Sequence, residues 1–136
     1  MNDCTFCRIV AGELPAWRVY EDERVLAFFD IGPVAEYHTL VVPKRHSQDI
    51  LDVPEDDLRA VATAIKKITA LYESRAGIRN MQIVCSSGRE AQQDVMHLHF
   101  HIVPRRSGDG QNIAWTAYPA LRDRFDDLLE RLKPAV

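Results

Sequence analysis

Three of the five histidines in this 136-residue chain fall within five residues, at His97, His99 and His101. They alternate with large apolar residues in the stretch HLHFHIVP. Successive side chains of a β-strand point to opposite faces, so the alternation predicts a strand with one apolar face and three imidazoles on the other. Histidine changes its charge near neutral pH without a special environment. The pattern therefore favours a chemically active face over an ordinary solvated one.

The spacing of these histidines limits the metal chemistry that they can perform. Residues four apart on a strand, such as His97 and His101, are about 13 Å apart at ~3.3 Å per residue. Zinc binds an imidazole nitrogen at about 2.1 Å, so one ion can take neighbours such as His97 and His99 but hardly all three. At least one imidazole is therefore left for other chemistry.

A second candidate group is the pair Cys4 and Cys7 in CTFC, which has C-x2-C spacing. A structural zinc site takes four Cys or His ligands. The third cysteine, Cys85, lies in an apolar strand pattern and is interpreted as a buried free thiol. The missing ligands would then be histidines: His38, His46 or members of the cluster of three. The rivals are two thiols that bind nothing and a thioredoxin-like redox pair, although in that motif the cysteines follow a strand and open a helix.

Length and composition indicate the broad class of protein. A chain with 46% apolar and 27% charged residues predicts one globular domain spanning 1–136. A net charge of −3 argues against a nucleic-acid-binding surface, which is usually strongly basic. No apolar run approaches the length of a membrane span, and the first residues lack the pattern of a signal peptide. We therefore expect a cytoplasmic protein without nucleic-acid or membrane partners.

The elements that must position these residues follow from the apolar periodicity. Alternating or apolar runs predict five strands, over 16–22, 24–31, 38–44, 80–87 and 94–104. Three-and-four spacing predicts two main helices, within 52–77 and 120–133. Strands cluster before and after the first helix instead of alternating with helices, which favours an α+β domain with a mostly antiparallel five-stranded sheet. Both helices should cover one face, with the histidines facing outward into a cleft.

Several ordered blocks resemble a known family. The motif HLHFHIV is similar to the one that names the HIT, or histidine-triad, proteins, and CTFCRIVAGELPAWRVYEDERVLAFFDIGP, HTLVVPKRH and VMHLHFHIVPR resemble further blocks of its bacterial Hint-like members. The resemblance implies a HIT-like fold over the whole chain. It also implies a homodimer and a hydrolase acting at the α-phosphorus of purine nucleoside monophosphate conjugates, such as those of AMP, through a nucleotidyl-histidine intermediate.

The resemblance also implies roles for individual residues. His99 would be the nucleophile, held at one nitrogen by a backbone carbonyl, and His101 would donate to the phosphoryl oxygens. His38 has no role in this scheme and is interpreted as structural. Structural zinc would be held by four residues: Cys4, Cys7, His46 and His97.

The nucleotide-binding residues are implied in the same way. Asp30 would accept from the ribose hydroxyls. The base site would draw on Ile9, Phe28, Phe29 and Ile31, and the phosphate site on Ser86, Gly88 and Gln93 together with His101. The chain departs from the family pattern at four positions: Tyr37 and Gln92 replace glycines, Ser86 replaces an asparagine, and Asp94 replaces a small hydroxyl residue near the leaving group.

Four functional hypotheses follow. The first is a nucleoside phosphoramidase, and the second is a dinucleoside polyphosphate hydrolase. The third is a nucleotide-binding or partner-binding protein with weak catalysis, which the altered phosphate loop would explain. The fourth is a metal-dependent hydrolase with His97 and His99 as ligands. Asp94 favours the first over the second, because a carboxylate repels a polyphosphate leaving group and can assist a cationic amine.

Overall fold

The computed structural model describes residues 3–134. Its five strands form one antiparallel sheet in the order β1-β2-β3-β5-β4. The strands are β1 (Arg18–Glu21), β2 (Val25–Phe29), β3 (Thr39–Pro43), β4 (Met81–Val84) and β5 (Phe100–Pro104). The helices are α1 (Thr5–Val10), α2 (Glu55–Ala76) and α3 (Phe125–Arg131). No helix in this range is long and apolar enough to cross a membrane.

The predicted α+β class is confirmed, with a five-stranded antiparallel sheet and two main helices. The fifth strand is shorter than expected, because it begins at Phe100 instead of residue 94. Before it, the His97 carbonyl accepts from the His99 ring and the Leu98 N–H donates to the Ser47 carbonyl, so this stretch does not continue the regular ladder. The three imidazoles lie on one side of the sheet, since Phe6 packs against His97 and His99 and the His99 ring packs against His101. His97 and His99 are buried, however, so the expectation that this face is outward and open is wrong.

Helix α2 covers one face of the sheet. Its first turn carries three acidic residues at the positive end of the helix dipole, and it ends at Gly77, whose φ of 69° suits glycine. The buried side chains of α2 recur every three or four residues and pack on alternate residues of the central strands. They are Val61, Ala64, Ile68 and Tyr72, and they meet Val25, Ala27, Val41 and Ile102. Each large apolar side chain buried in this way contributes roughly 2 kcal/mol.

Helix α1 contributes to the other face of the sheet. Phe6 and Ile9 pack with Leu26, Phe28 and Leu40, which point away from α2. The sequence did not predict this helix, since its six residues are too few for a periodic apolar pattern. The catalytic candidates lie on this face, because His101 of β5 is paired with Leu40 of β3.

The C-terminal segment does not follow the sequence-based expectation. The predicted helix over 120–133 is divided into a 3-10 stretch, Pro119–Arg124, and the seven-residue helix α3. Its apolar residues, among them Leu121, Phe125 and Leu129, are exposed and do not cover the sheet. The apolar periodicity was correctly recognised, but periodicity alone does not indicate which surface a helix contacts.

A buried charge holds the segment that carries His46. Asp57, in the first turn of α2, lies 3.0 Å from the guanidinium of Arg24 and 3.2 Å from that of Arg45. The three side chains connect the β1–β2 turn, α2 and the residues that follow β3. Because Arg45 directly precedes His46, this contact holds the backbone beside His46.

Candidate active site and metal centre

The His99 ring is fixed at one nitrogen and open at the other. Its Nδ1 lies 2.7 Å from the His97 carbonyl oxygen, which can only accept, so Nδ1 carries the proton and donates. The neutral ring then has a free lone pair at Nε2. The side chain is only 4% exposed, and within residues 3–134 no hydrogen-bond partner engages Nε2. This tautomer presents a single nucleophilic nitrogen.

Phe6 of α1 packs against the candidate nucleophile. Its ring meets His99 edge to face at 5.2 Å between centroids, and it also meets His97 at 5.8 Å and Phe28 at 5.5 Å. These contacts limit rotation of both imidazoles. The sequence contained no signal for this role, since Phe6 is one apolar residue between two cysteines.

A chain of hydrogen bonds orients His101. The backbone N–H of Val34 donates to His38 Nδ1 at 3.1 Å, so the proton of the neutral His38 ring must be on Nε2. That Nε2 lies 2.9 Å from Nδ1 of His101 and donates to it. The remaining proton of His101 is therefore on Nε2. His38, interpreted from sequence as a structural residue with a hydrogen bond near the cleft, is the residue that determines the His101 tautomer.

The environment keeps this pair of imidazoles neutral. Burial lowers the pKa of His38, against the opposing effect of Asp30, whose carboxylate lies 3.4 Å from His38 Nε2. Burial also lowers the pKa of His101, and the neighbouring His99 and His38 lower it further. At neutral pH His101 is therefore a neutral hydrogen-bond donor through Nε2.

Cys4, Cys7, His46 and His97 come together as a group that can hold a metal ion, with one ligand atom from each and all four atoms within 4.8 Å of one another. The Sγ atom of Cys4 lies 3.3 Å from Nδ1 of His97, and Sγ of Cys7 lies 3.3 Å from Nδ1 of His46. His97 donates from Nε2 to the Pro43 carbonyl at 2.8 Å, which leaves its Nδ1 lone pair directed at the sulfurs.

The ionisation of these groups argues against a redox pair. Burial lowers the pKa of His97 to about 4, so the ring is neutral and able to coordinate. Burial, followed by the neighbouring Cys4, raises the pKa of Cys7 to about 11, whereas a redox C-x2-C pair needs a lowered one. Cys4 caps helix α1, so the two cysteines do open a helix, which the sequence had not indicated.

A second group of ligand-type residues is Asp30, His38 and His101. Because His38 Nδ1 already accepts from Val34, its Nε2 could offer a lone pair only if the ring lost both protons. This group is therefore better explained as a hydrogen-bond chain. Neither ligand-type group found in residues 3–134 includes His99, so the geometry gives no support to a metal held by His97 and His99.

The loop before the histidines is held together by Gln93. Its Oε1 accepts from the Gly88 N–H, and its Nε2 donates to the carbonyls of Gln48 and Val95. Gln93 has no N–H left for a ligand, and the Gly88 N–H is also engaged, so Gln93 contributes to a phosphate site by shaping the loop. Gln92 has a φ of 73°, the conformation that glycine adopts most easily.

The predicted base-site residues fall in different environments. Ile9 and Phe28 are buried on the face of the sheet that carries His101. Phe29 packs with the α2 cluster on the opposite face, and Ile31 is exposed beyond the end of β2. Only Ile9 and Phe28 are thus brought near the histidines. Ser86 is half-buried in the segment that leads to the Gly88 loop.

Two residues that depart from the family pattern, Asp94 and Tyr37, have defined contacts in the structure. Asp94 is exposed, and its Oδ1 lies 3.6 Å from Nε2 of His99 while accepting from the Val95 N–H. Tyr37 has a φ of 65°, and its ring packs against Phe29 and Tyr72. These contacts hold Tyr37 in a conformation that costs energy for a non-glycine residue, directly before His38.

The comparisons with known proteins agree with the geometry. A model of the HIT domain matches residues 11–108. An uncharacterised HIT-like protein of Methanocaldococcus jannaschii is 47% identical over 130 residues, covering 96% of this chain and 98% of that protein. An adenosine 5'-monophosphoramidase of Candida albicans is 32% identical over 135 residues, covering 96% of this chain and 89% of that protein.

A zinc-bound histidine triad family protein from Mycobacterium smegmatis has a similar crystal structure. It is 34% identical, covers 96% of this chain and 98% of its own, and superimposes with a TM-score of 0.77. The antiparallel sheet and the histidines that it positions thus match the HIT-domain architecture of these relatives. The chain belongs to the HIT, or histidine-triad, family.

Proposed function

We propose that the protein is a nucleotide hydrolase that releases AMP from phosphoramidate conjugates, with His99 as the nucleophile. The observation that carries the proposal is the fixed His99 tautomer, whose Nε2 lone pair is free while Nδ1 donates to the His97 carbonyl. Membership of a family that includes a named adenosine 5'-monophosphoramidase supports hydrolase activity. Covalent catalysis by imidazole divides one difficult displacement into two easier ones.

The residues allow a balanced two-step reaction. In the first step His99 Nε2 bonds to phosphorus as the phosphorus–nitrogen bond breaks, and the amine leaves with that electron pair and takes up a proton. His101 donates from Nε2 to a phosphoryl oxygen, where negative charge increases. In the second step water attacks the nucleotidyl-histidine and the ring regains its lone pair. Overall, one P–N and one O–H bond are replaced by one P–O and one N–H bond.

The nucleoside would be bound beside these histidines. Asp30 has a carboxylate oxygen near the His38–His101 chain and can accept from a ribose cis-diol. Ile9 and Phe28 offer apolar surface to a purine on the same side of the sheet. Ser86 and the loop at Gly88 would border the phosphate. We also propose that the protein acts in the cytoplasm on AMP conjugates.

Zinc is the metal that fits the Cys/His group best. In a tetrahedral site with zinc–sulfur bonds of about 2.3 Å and zinc–nitrogen bonds of about 2.1 Å, a sulfur and a nitrogen are about 3.6 Å apart. Three of the four sulfur–nitrogen distances in the group are 3.3 to 3.5 Å. Four protein ligands close such a site, so zinc would stabilise the fold and would not activate water. Cys4, Cys7, His46 and His97 would hold it.

Hydrolysis of two substrates side by side tests the proposal. Adenosine 5'-phosphoramidate should release AMP faster than diadenosine polyphosphate does, and brief treatment with a chelator should not reduce the rate. The His99→Asn variant should lose several orders of magnitude in turnover and still bind AMP. Faster cleavage of the polyphosphate would support the dinucleotide hydrolase instead. Binding of AMP without turnover by the wild type would support a binding protein.

A further inference from the structure

Asp94 places a carboxylate beside the free nitrogen of the candidate nucleophile. Its Oδ1 lies 3.6 Å from His99 Nε2, too far for a hydrogen bond but within the space that a reacting phosphoryl group and its leaving group must share. His99 itself is buried, and its Nε2 opens toward this carboxylate. In an in-line displacement the leaving group departs on the side of phosphorus opposite His99 Nε2, so Asp94 acts on it through its negative charge across a short distance.

Asp94 is free to respond to a ligand. Its side chain is 82% exposed, and the only hydrogen bond that its carboxylate accepts within residues 3–134 comes from the Val95 N–H. No Arg or Lys in this range forms an ion pair with it. The oxygen that lies nearer to His99, Oδ1, accepts this bond, so Oδ2 is the carboxylate oxygen without a hydrogen bond within the described residues.

A cavity continues from Asp94 along the surface. It has a volume of about 420 Å³, and its lining joins Asp94 to Asp3 and Gln48 and to the metal-ligand candidates Cys4 and His46. The lining includes no Lys or Arg from the described part of the chain, and Asp94 is the residue through which it adjoins His99. This volume is sufficient for a small amine substituent. The lining contains two carboxylates, Asp3 and Asp94, whose negative charges disfavour an anionic group and favour a cationic one.

We propose that Asp94 determines leaving-group selectivity, favouring AMP conjugates whose departing amine carries a positive charge and disfavouring those with an anionic substituent. The cavity beside Asp94 receives that substituent. This inference rests on the proposed phosphoramidate hydrolysis and adds the chemical class of the leaving group. The bond changes are those of the proposed reaction: phosphorus–nitrogen cleavage, departure of the amine with the electron pair, and uptake of a proton from water.

Three matched substrates test the inference. They are adenosine 5'-phosphoramidates of 1,4-diaminobutane, butylamine and 4-aminobutanoate, which share the reacting bond and differ in a cationic, neutral or anionic end. For the wild type, kcat/KM should fall in that order, by about tenfold between the two charged ends. Added salt should reduce the difference, because it screens an exposed carboxylate.

Two variants separate the effect of Asp94 from intrinsic differences among the amines. In Asp94→Asn the amide oxygen can still accept from the Val95 N–H. The kcat/KM values for the three substrates should then lie within about twofold of one another. Glu90→Gln removes the same charge from the neighbouring turn without touching His99, and it should keep the wild-type order.

The outcomes also separate this inference from the proposed function. If the wild type releases AMP from all three substrates but Asp94→Asn leaves their ratios unchanged, the selectivity role of Asp94 is wrong and the hydrolase proposal stands. If the wild type releases AMP from none of them, the proposed function itself fails, and the inference fails with it.

Discussion

His99 and His101 differ in the partners that fix their protons, and this difference assigns their roles. The carbonyl of His97 holds a proton on Nδ1 of His99, whereas the ring of His38 directs the proton of His101 to Nε2. One ring therefore presents a lone pair and the other presents a donor. A nucleophile and a phosphoryl-oxygen donor need these opposite states.

The role of His38 can be tested by substitution. His38→Leu removes the donor to His101 Nδ1, so the His101 proton is no longer directed to Nε2, and kcat should fall about tenfold to a hundredfold with little change in KM. His38→Gln can still donate from its amide and should recover part of the rate. Steady-state kinetics of both variants, with melting temperatures as a check on folding, measure this effect. A Leu variant with lower stability but normal kcat would contradict the positioning role.

At the scale of residues, the sequence indicates a site correctly where its members are close along the chain. The alternation of His97, His99 and His101 was visible as a local pattern, and the structure shows the carbonyl contact expected for His99. The contact of His38 with His101 crosses 63 positions and leaves no local signal. The roles of Phe6 and Gln93 were missed or misassigned for the same reason, since burial and hydrogen-bond saturation are tertiary properties.

At the scale of elements, the sequence predicted the helices and strands whose apolar pattern extends over several residues. Helix α2 and all five strands were recognised, because their periodicity is imposed by burial on one face. Helix α1 was missed because it is short. The start of β5 was misplaced because the alternation of apolar residues begins at His97 and His99, before strand pairing begins at Phe100. Alternation records which side chains are apolar, whereas strand pairing also requires free backbone groups.

The metal group connects α1 to the end of β3 and the start of β5, so its loss should destabilise the fold. The double variant Cys4→Ser, Cys7→Ser should contain no zinc and should melt at a temperature lower by on the order of 10 °C. Its turnover at low temperature should persist, because His99 is not a ligand. Elemental analysis and thermal denaturation measure the two effects.

The control for this variant is Cys85→Ser, which changes a cysteine outside the group and should keep the metal. The comparison requires protein purified without a chelator or an affinity tag. A wild-type chain prepared in this way with no zinc would contradict the site, and the C-x2-C spacing would then have no metal-binding role.

For the whole molecule, two exposed apolar features indicate self-association. β4 is an edge strand, with Ile83 45% exposed, and an unpaired edge can pair with a second copy. The C-terminal segment adds exposed Trp115, Tyr118 and Phe125, with Trp115 92% exposed. We propose a two-fold homodimer through β4 and the outer face of α2, as the family resemblance implies, with the C-terminal segment covered in the dimer.

Light scattering tests this assembly. The wild type at micromolar concentration should have about twice the chain mass of 15.5 kDa. Ile83→Arg places a charge on the edge strand and should shift the protein towards the monomer. Trp17→Arg, at an exposed apolar position beside β1 on the opposite edge of the sheet, should remain dimeric. A wild-type mass near 15.5 kDa would contradict the homodimer.

The central claim is that His99 forms a covalent bond to the nucleotide, and trapping of that intermediate tests it most directly. The protein is mixed with adenosine 5'-phosphoramidate, quenched within the first turnovers in base, where a phosphorus–imidazole bond survives, and analysed by mass spectrometry. We predict a mass increase of one adenylyl group, assigned by fragmentation to His99 and absent in His99→Ala. An adduct on another residue, or normal turnover by His99→Ala, would contradict the account.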